Sequence, residues 1–410
     1  MLSAGEASGD LHGALLCRAL RAQAAGLTLF GLGGARMAAE GVDLVADVTR
    51  RAAVGTTEAL GRIPVLWRTF RVLRDRLQRE RPAALVLIDF PEFNLRLARA
   101  AHRAGVPVVY FVPPQIWAWR AWRVRAIRRW VSLVLAALPF EPAIYRRAGV
   151  PVEFVGHPVL DALGHAPSRV EARARLDVPS GALLIGLLPG SRAEEVARMT
   201  PLMREAARRI VAAHPGARFA LGLAPTVDAG PVRSALGGGP PVRIVADDSH
   251  AVIRAADLLL ATSGTVTLEA ALLDTPLIVC YRVSAPTELM GRLLLRVPWV
   301  GLTNLTLGRE AVPELYERRH ATPERLAAVA LRLLDTPGAL EAQRAAFVEL
   351  RGLCGEAGVG DRAARHVLSV GAGVSVGGGL DGPLRGLPQD FLGGGHSVRG
   401  QSPRSNVGQP

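Results

Sequence analysis

The stretch Ala182–Val196, ALLIGLLPGSRAEEV, changes character half-way along. Its first half is a continuous apolar run, the pattern of a strand covered on both faces. A Pro-Gly-Ser-Arg break follows, and then a run with helical spacing. Strand, glycine break and helix make the repeating unit of an α/β sheet, whose ligands lie beyond the carboxyl ends of the strands. Gly190 lets the backbone approach a ligand closely. Ser191 can cap the helix or donate to a phosphate, and Arg192 can fork onto phosphate oxygens. A plain Gly-Ser cap with a solvated Arg is the structural alternative.

Ala261–Leu273, ATSGTVTLEAALL, repeats the device with Ser263, Gly264 and Thr265 at the break. Exposed N–H groups at that helix start favour a diphosphate. Glu269, one turn further on, is placed to hold ribose hydroxyls. Two such loops in one half of the chain point to a nucleotide diphosphate between helix ends. No GxxxxGK[ST] motif occurs, which argues against a P-loop nucleotidase.

Outward from these stretches the alternation continues. ARFALGLAP (Ala217–Pro225), VRIVAD (Val242–Asp247) and TPLIVCYR (Thr275–Arg282) read as further strands of the same half. Upstream, AALVLID (Ala83–Asp89), VPVVYFV (Val106–Val112), SLVLAALP (Ser132–Pro139) and VEFVGHP (Val152–Pro158) form a similar series, with helical spacing at Leu95–Arg103. The sequence therefore predicts an α/β fold, two Rossmann-like domains facing a cleft. The expected boundaries are 1–163 for the first domain and 164–335 for the second, with a polar linker or linking helix at Gly164–Arg175. Closing helices are expected in 336–370, after one at Pro323–Leu334 and including one at Leu340–Leu353. From Gly371 the chain is dense in Gly, Ser and Pro, and 371–410 reads as a disordered tail.

Length and composition agree with two domains: 410 residues, about half of them hydrophobic. The net charge of +13 comes nearly all from Arg. It favours an acidic partner: nucleic acid, an anionic membrane surface or a phosphorylated substrate. Cys17, Cys280 and Cys354 are far apart with no CxxC pair, so neither a zinc site nor a disulfide framework is expected. Glu6 and Asp10 interrupt any apolar leader, and no uncharged run is long enough to cross a bilayer.

Three segments of the first half carry candidate chemistry. LIDFPEFN (Leu87–Asn94) places Asp89 at a strand tip, where a carboxylate facing a cleft can act as general base. A helix cap or a surface salt bridge is the alternative role, and Glu92 is the rival carboxylate. SAGEASGDLHG (Ser3–Gly13) reads as a loop at the tip of the first strand, with Glu6, Ser8, Gly9 and Asp10 lining the same cleft. Ser8 and Asp10 would cap a helix starting near Leu11, and His12 is either a proton carrier or a surface residue. Only Met1 and Leu2 stand before that loop, so the strand is either truncated or begins upstream. The third segment, GRIPVLWRTFRVLRDRLQRER (Gly61–Arg81), sets Ile63, Leu66, Phe70, Leu73 and Leu77 on one stripe among arginines. Such a helix either lies on anionic lipid or packs on the sheet. PPQIWAWRAWRVRAIRRW (Pro113–Trp130) adds four Trp and five Arg, suited to a lipid interface or to stacking on single-stranded nucleic acid. No nucleic-acid module surrounds it, and no nucleic acid is expected as partner.

Taken in order, SAGEASGDLHG, IDFPEFN, PPQIWAWR, LPFE, FVGHP, LLPGSRAEEV, SGTVTLEAAL and NLTLGREAVPEL resemble the lipid-A-disaccharide synthase family over roughly residues 1 to 353. The resemblance implies a glycosyltransferase of the two-domain B type that works without metal or cofactor. It implies a cytoplasmic enzyme, peripheral on the inner face of the inner membrane. The implied reaction joins UDP-2,3-diacylglucosamine to 2,3-diacylglucosamine 1-phosphate (lipid X) by inversion, giving a β-1,6 link and UDP. Asp89 then corresponds to the base. Gly190, Ser191, Arg192, Ser263, Gly264, Thr265, Glu269 and Asn304 fall to the UDP-sugar. Ile63, Leu66, Phe70, Leu73, Trp117, Arg120 and Arg123 fall to the acceptor and membrane. Thr303 and Thr306 depart from the family's usual residues around Asn304. A homodimer through exchanged C-terminal segments is an assembly the family allows. The rival readings are another two-domain sugar-nucleotide enzyme, such as a cell-wall transferase or a 2-epimerase, the latter needing an acid/base pair and no acylated acceptor, and a non-enzymatic basic lipid- or nucleic-acid-binding protein.

Overall fold

A computed structural model describes residues 1–47, 59–117, 122–282, 288 and 297–373, with 47 and 59–63 described in backbone only. Arg120, the Ile63 side chain and the tail beyond 373 lie outside the described residues.

The first sheet contains β1 (Leu2–Ala4), β2 (Phe30–Gly33), β3 (Asp43–Asp47), β4 (Leu85–Ile88), β5 (Val108–Phe111), β6 (Leu133–Ala136) and β7 (Val152–Phe154). The second contains β8 (Leu184–Leu188), β9 (Arg218–Leu223), β10 (Val242–Ala246), β11 (Leu258–Ala261), β12 (Leu277–Tyr281) and β13 (Glu314–Tyr316). Their spatial orders are β3-β2-β1-β4-β5-β6-β7 and β10-β9-β8-β11-β12-β13. Every pairing is parallel. These are two doubly wound sheets with helices on both faces, as the alternating sequence predicts.

The central strands read as unbroken apolar runs because both faces are covered. In β4, Leu85 and Leu87 join Leu73, Leu77, Leu97, Tyr110 and Ile127 on one face. Val86 and Ile88 join Leu16, Phe111, Val359 and Ala363 on the other. The inner cluster continues through Val159 to Leu259, Val279 and Phe347, so one apolar core runs between the two sheets. Such continuity stabilises their relative placement by direct burial of apolar surface.

Several elements differ from the sequence expectation. β2 and β3 are short and rich in Gly or Asp, and β13 has three residues, so none carries a strand signal. The helix Val359–Gly371 falls in the segment expected to hold closing helices, and it packs back on the first half against Ala7–Gln23. Asp161 fixes its start by accepting the N–H groups of Gly358, Val359 and Gly360 at 2.6, 3.1 and 2.8 Å. At Gly164–Arg175 the second of the two expected forms, a linking helix, is present as Arg169–Arg175, opened by a Ser168/Glu171 capping box. Arg169 and Arg173 both bind Asp257, which ties that helix to the second sheet.

Candidate functional site

Each sheet has one place where the strand order reverses, and loops leaving neighbouring strands part there. In the first sheet it lies between β1 and β4, with Ala4 beside Ile88. The loops at Gly5–Glu6 and Asp89–Phe90 therefore emerge side by side. In the second it lies between β8 and β11, with Leu188 beside Ala261. There Pro189–Arg192 emerges beside Thr262–Gly264. The two places meet: Arg192 Nη2 is 2.9 Å from Glu6 Oε2, an ion pair that crosses the cleft. A second contact, Arg192 Nη1 to Glu195 Oε1 at 3.3 Å, holds the guanidinium on its own side.

Asp89 sits at the tip of β4 with left-handed backbone, φ 47°. Its carboxyl is pushed up to about 6. Burial is the first cause, and the Glu6 charge adds to it; the Phe90 N–H and the Arg192 charge pull the other way. A carboxylate in that range is a base that works near neutrality. Glu92, the rival, is ion-paired to Arg123 and sits on the exposed side of the helix Pro91–Arg103.

The opening segment is a helix earlier than expected. It runs Ala7–Gln23, and Glu6 stands at its N-cap without a capping side-chain bond. Ser8, Gly9 and Asp10 are thus in its first turn rather than in a loop, and Glu6 reaches Arg192 of the other half. Asp10 does not cap its own helix. Its carboxylate accepts the N–H groups of Gly34, Met37 and Arg36 at 2.8, 3.0 and 3.1 Å, capping the helix Ala35–Ala39. His12 is buried and edge-on to His157, with ring centroids 5.8 Å apart. Burial lowers His12 to about 4 and His157 to about 3, so both stay neutral and neither is a surface residue.

The two second-half loops differ in the space around their glycines. Gly190 has φ 119°, and a Cβ there would lie 2.8 Å from Glu195 Oε2. Gly264 has φ 155°, with nothing within 4 Å of where a Cβ would stand. It is followed by the helix Thr265–Leu272. Ser191 accepts Thr226 Oγ1 through its carbonyl at 2.9 Å. Ser263 Oγ donates to the Val300 carbonyl at 2.7 Å, fixing the floor of this loop. Glu269 Oε2 lies 3.2 Å from His250 Nε2.

Asn304 is held from within. Its amide is buried and engaged inside the protein: Nδ2 donates to Val312 O and Glu314 Oε1 at 2.8 Å each, and Oδ1 accepts from Ala311 and Val312 at 2.8 and 3.0 Å. Through Glu314, which holds Val300, it braces the loop behind Ser263. Sequence reasoning missed its partner, Glu314, which also accepts Val300 and Gly301 N–H at 2.7 and 3.1 Å. Burial raises Glu314 to about 7.

The lipid-facing residues also shift. Leu73 is fully buried, and Leu66 and Phe70 are partly buried against the core, so the stripe of the helix Ala59–Glu80 is its packing face. Outside that face the helix exposes Trp67 on one flank, 51 % exposed with Arg71 over its ring at 5.4 Å, and Val65 and Val72 on the other flank. Trp117 is 7 % exposed, donates Nε1 to Glu141 at 3.2 Å and packs edge-on to Phe140. Arg123, at 2 %, is buried against Glu92. Neither is a surface group; Trp122, 63 % exposed, is. Among the described residues no helix is long and apolar enough to cross a membrane.

The comparisons with known proteins decide the family. Residues 1–347 match the profile of lipid-A-disaccharide synthetase. A lipid-A-disaccharide synthase of Myxococcus xanthus is 43 % identical over 371 residues, 90 % of this chain and 97 % of that one. The Geobacter sulfurreducens relative of the same name is 41 % identical over 90 % of this chain and 96 % of its own. The chain belongs to the lipid-A-disaccharide synthase family. It is accordingly a glycosyltransferase of lipid A biosynthesis. Solved structures share the fold at low identity. The UDP co-structure of Staphylococcus aureus MnaA has a TM-score of 0.65 at 14 % identity, covering 93 % of this chain and 99 % of its own. A UDP-GlcNAc 2-epimerase of Neisseria meningitidis bound to UDP-GlcNAc has 0.64 at 13 %, covering 90 % and 98 %. Shape alone thus leaves transferase and epimerase together, and the sequence relatives separate them.

Proposed function

We propose that the cleft joins UDP-2,3-diacylglucosamine to 2,3-diacylglucosamine 1-phosphate with inversion at the anomeric carbon. The observation that carries this is the meeting of the two reversal points, Asp89 and Glu6 on one side and Arg192 and Gly264 on the other. The second half takes the UDP-sugar and the first half takes the acceptor. The acceptor's 6-hydroxyl oxygen attacks the anomeric carbon and passes its proton to Asp89. The bond from that carbon to the diphosphate oxygen breaks, and its electron pair leaves with UDP. Arg192 and the N–H groups at the start of Thr265–Leu272 stabilise the departing charge. One displacement gives the β-1,6 link.

Acyl chains require an apolar route. Phe90 stacks on Phe93 at 5.4 Å, Phe93 meets Phe70 at 5.9 Å, and Phe70 meets Trp67 at 6.0 Å. This aromatic series leads from the Asp89 turn to the exposed Trp67, with Arg71 over its ring. That face is the proposed contact with the cytoplasmic surface of the inner membrane. The test is UDP release by purified protein. Release that needs both the diacyl UDP-sugar and the monosaccharide phosphate, and is lost in Asp89→Asn, supports the reading. Turnover of the UDP-sugar without acceptor would return the chain to epimerase-like chemistry.

A further inference from the structure

A buried polar group beneath Asp89 has no part in the assignments above. β4 ends at Ile88, and both following residues take left-handed backbone, with φ 47° at Asp89 and 48° at Phe90. Asp tolerates that region; Phe does not, so the turn needs support from outside itself. The support converges on one atom. The Asp89 carbonyl accepts Asn94 Nδ2 at 2.7 Å and Tyr110 Oη at 2.8 Å. Asn94 is held in turn: Ser3 Oγ donates to its Oδ1 at 2.6 Å, and its Nδ2 lies 3.2 Å from the carbonyls of Ser3 and Ile88. Ser3, Asn94 and Tyr110 are all fully buried. From the other side the Phe90 ring lies against Gly5, where a Cβ would come within 2.2 Å of it. The Asp89 N–H donates to Val112 O at 3.3 Å, and Val112 is itself left-handed, φ 53°. Strain in two adjacent strand tips, held by a satisfied buried network, is a feature of sites that must keep one geometry.

We propose that Tyr110 and Asn94, braced by Ser3, are positioning residues: they clamp the Asp89 carbonyl so that its carboxyl stays turned into the cleft. The proposal rests on the reading of Asp89 as base. Neither side chain touches the carboxyl, so losing one leaves the proton acceptor in place but loosely aimed. Turnover then falls while donor affinity, set in the other half, does not. A carboxyl free to swing outward gains water, which moves its protonation toward the ordinary carboxylate range.

The experiment uses the full chain as Tyr110→Phe, which removes one hydroxyl at nearly constant volume, with Asn94→Ser as a second variant. Tyr145→Phe is the control, because its equally buried hydroxyl donates to Pro114 O at 3.0 Å, away from Asp89. In Tyr110→Phe, kcat is expected to fall about tenfold, within what small misplacements produce. The donor KM should stay within about twofold of wild type. The acid limb of the rate profile should move to lower pH in Tyr110→Phe and Asn94→Ser and stay put in Tyr145→Phe. A folded Tyr110→Phe with wild-type kcat and an unmoved limb overturns the clamp, as does a loss of rate that only tracks a loss of folded protein. Asp89→Asn, run alongside, separates the two failures. If it keeps turnover, the base assignment itself falls; if it is dead while Tyr110→Phe is unaffected, only the clamp does.

Discussion

The two reversal points are built by opposite rules. Around Asp89 the protein fills its own hydrogen bonds: the turn is strained, its carbonyl is doubly bonded, and an aromatic ring closes over Gly5. Around Gly264 the protein leaves space: nothing stands within 4 Å of a Cβ position, and a helix start follows. A base must be aimed and partly dried, which a rigid, satisfied surround provides. An anion site must hold donors in reserve for a ligand, which only an unfilled surround can do. Arg192 spans both, paired with Glu6 across the cleft and with Glu195 at home.

Breaking the rigid side should cost most. Asp89→Asn keeps the volume and removes the proton acceptor, so kcat should fall by about 10²–10⁴-fold with donor KM little changed. Steady-state kinetics of a variant with the wild-type melting temperature checks this, and a loss under tenfold contradicts it. On the open side, Arg192→Ala should lower kcat by about 10²-fold through lost stabilisation of the leaving diphosphate, with Arg192→Lys in between. Equal activity of the Lys and Ala variants would remove the bidentate role.

The pH profile comes next in size. Burial pushes the Asp89 carboxyl up to about 6, and in the proposed role as base it acts ionised, so rate should fall as pH drops through that value. At pH 5 about a tenth of it is ionised and kcat/KM should be about tenfold below its plateau. An acid limb near pH 4 would mean that Asp89 is not the titrating group. Gly264→Ala tests conformation without a clash, since the space is open but φ 155° disfavours a side chain. It should cost about 1–3 kcal/mol of strain, read as a higher donor KM and a lower melting temperature. The smallest effect belongs to Trp67→Ser. The residue is half exposed, so stability should change by no more than about 0.5 kcal/mol, while sedimentation with anionic vesicles drops. Unchanged vesicle binding would detach this face from the membrane.

What the sequence made legible follows the same division. Strand ends are local facts, so Asp89, Arg192 and the Ser263–Thr265 break could be found from apolar runs that stop at Gly, Pro or Asp. Burial of polar side chains depends on partners far along the chain, and there the reading failed. Trp117 looks like an interfacial aromatic until Glu141 meets its Nε1, and Arg123 looks solvated until Glu92 covers it. Nothing local to Asn304 shows that both ends of its amide meet Glu314 and the 311–312 backbone. The stripe from Leu66 to Leu77 was real, but an amphipathic period does not say whether lipid or sheet receives it. Glu314 carries no local signal, because its importance lies in two N–H groups more than ten residues earlier.

The central claim is that one diphosphate lies between the open loops of the second half, opposite a clamped carboxyl of the first. A crystal structure with UDP bound tests it most directly. The account predicts the diphosphate within hydrogen-bond distance of the Gly264 and Thr265 N–H groups, the Arg192 guanidinium on its oxygens, and the Asp89 carboxyl facing it across the cleft. UDP bound elsewhere, or bound there with the Asp89 carboxyl turned out to solvent, would contradict it.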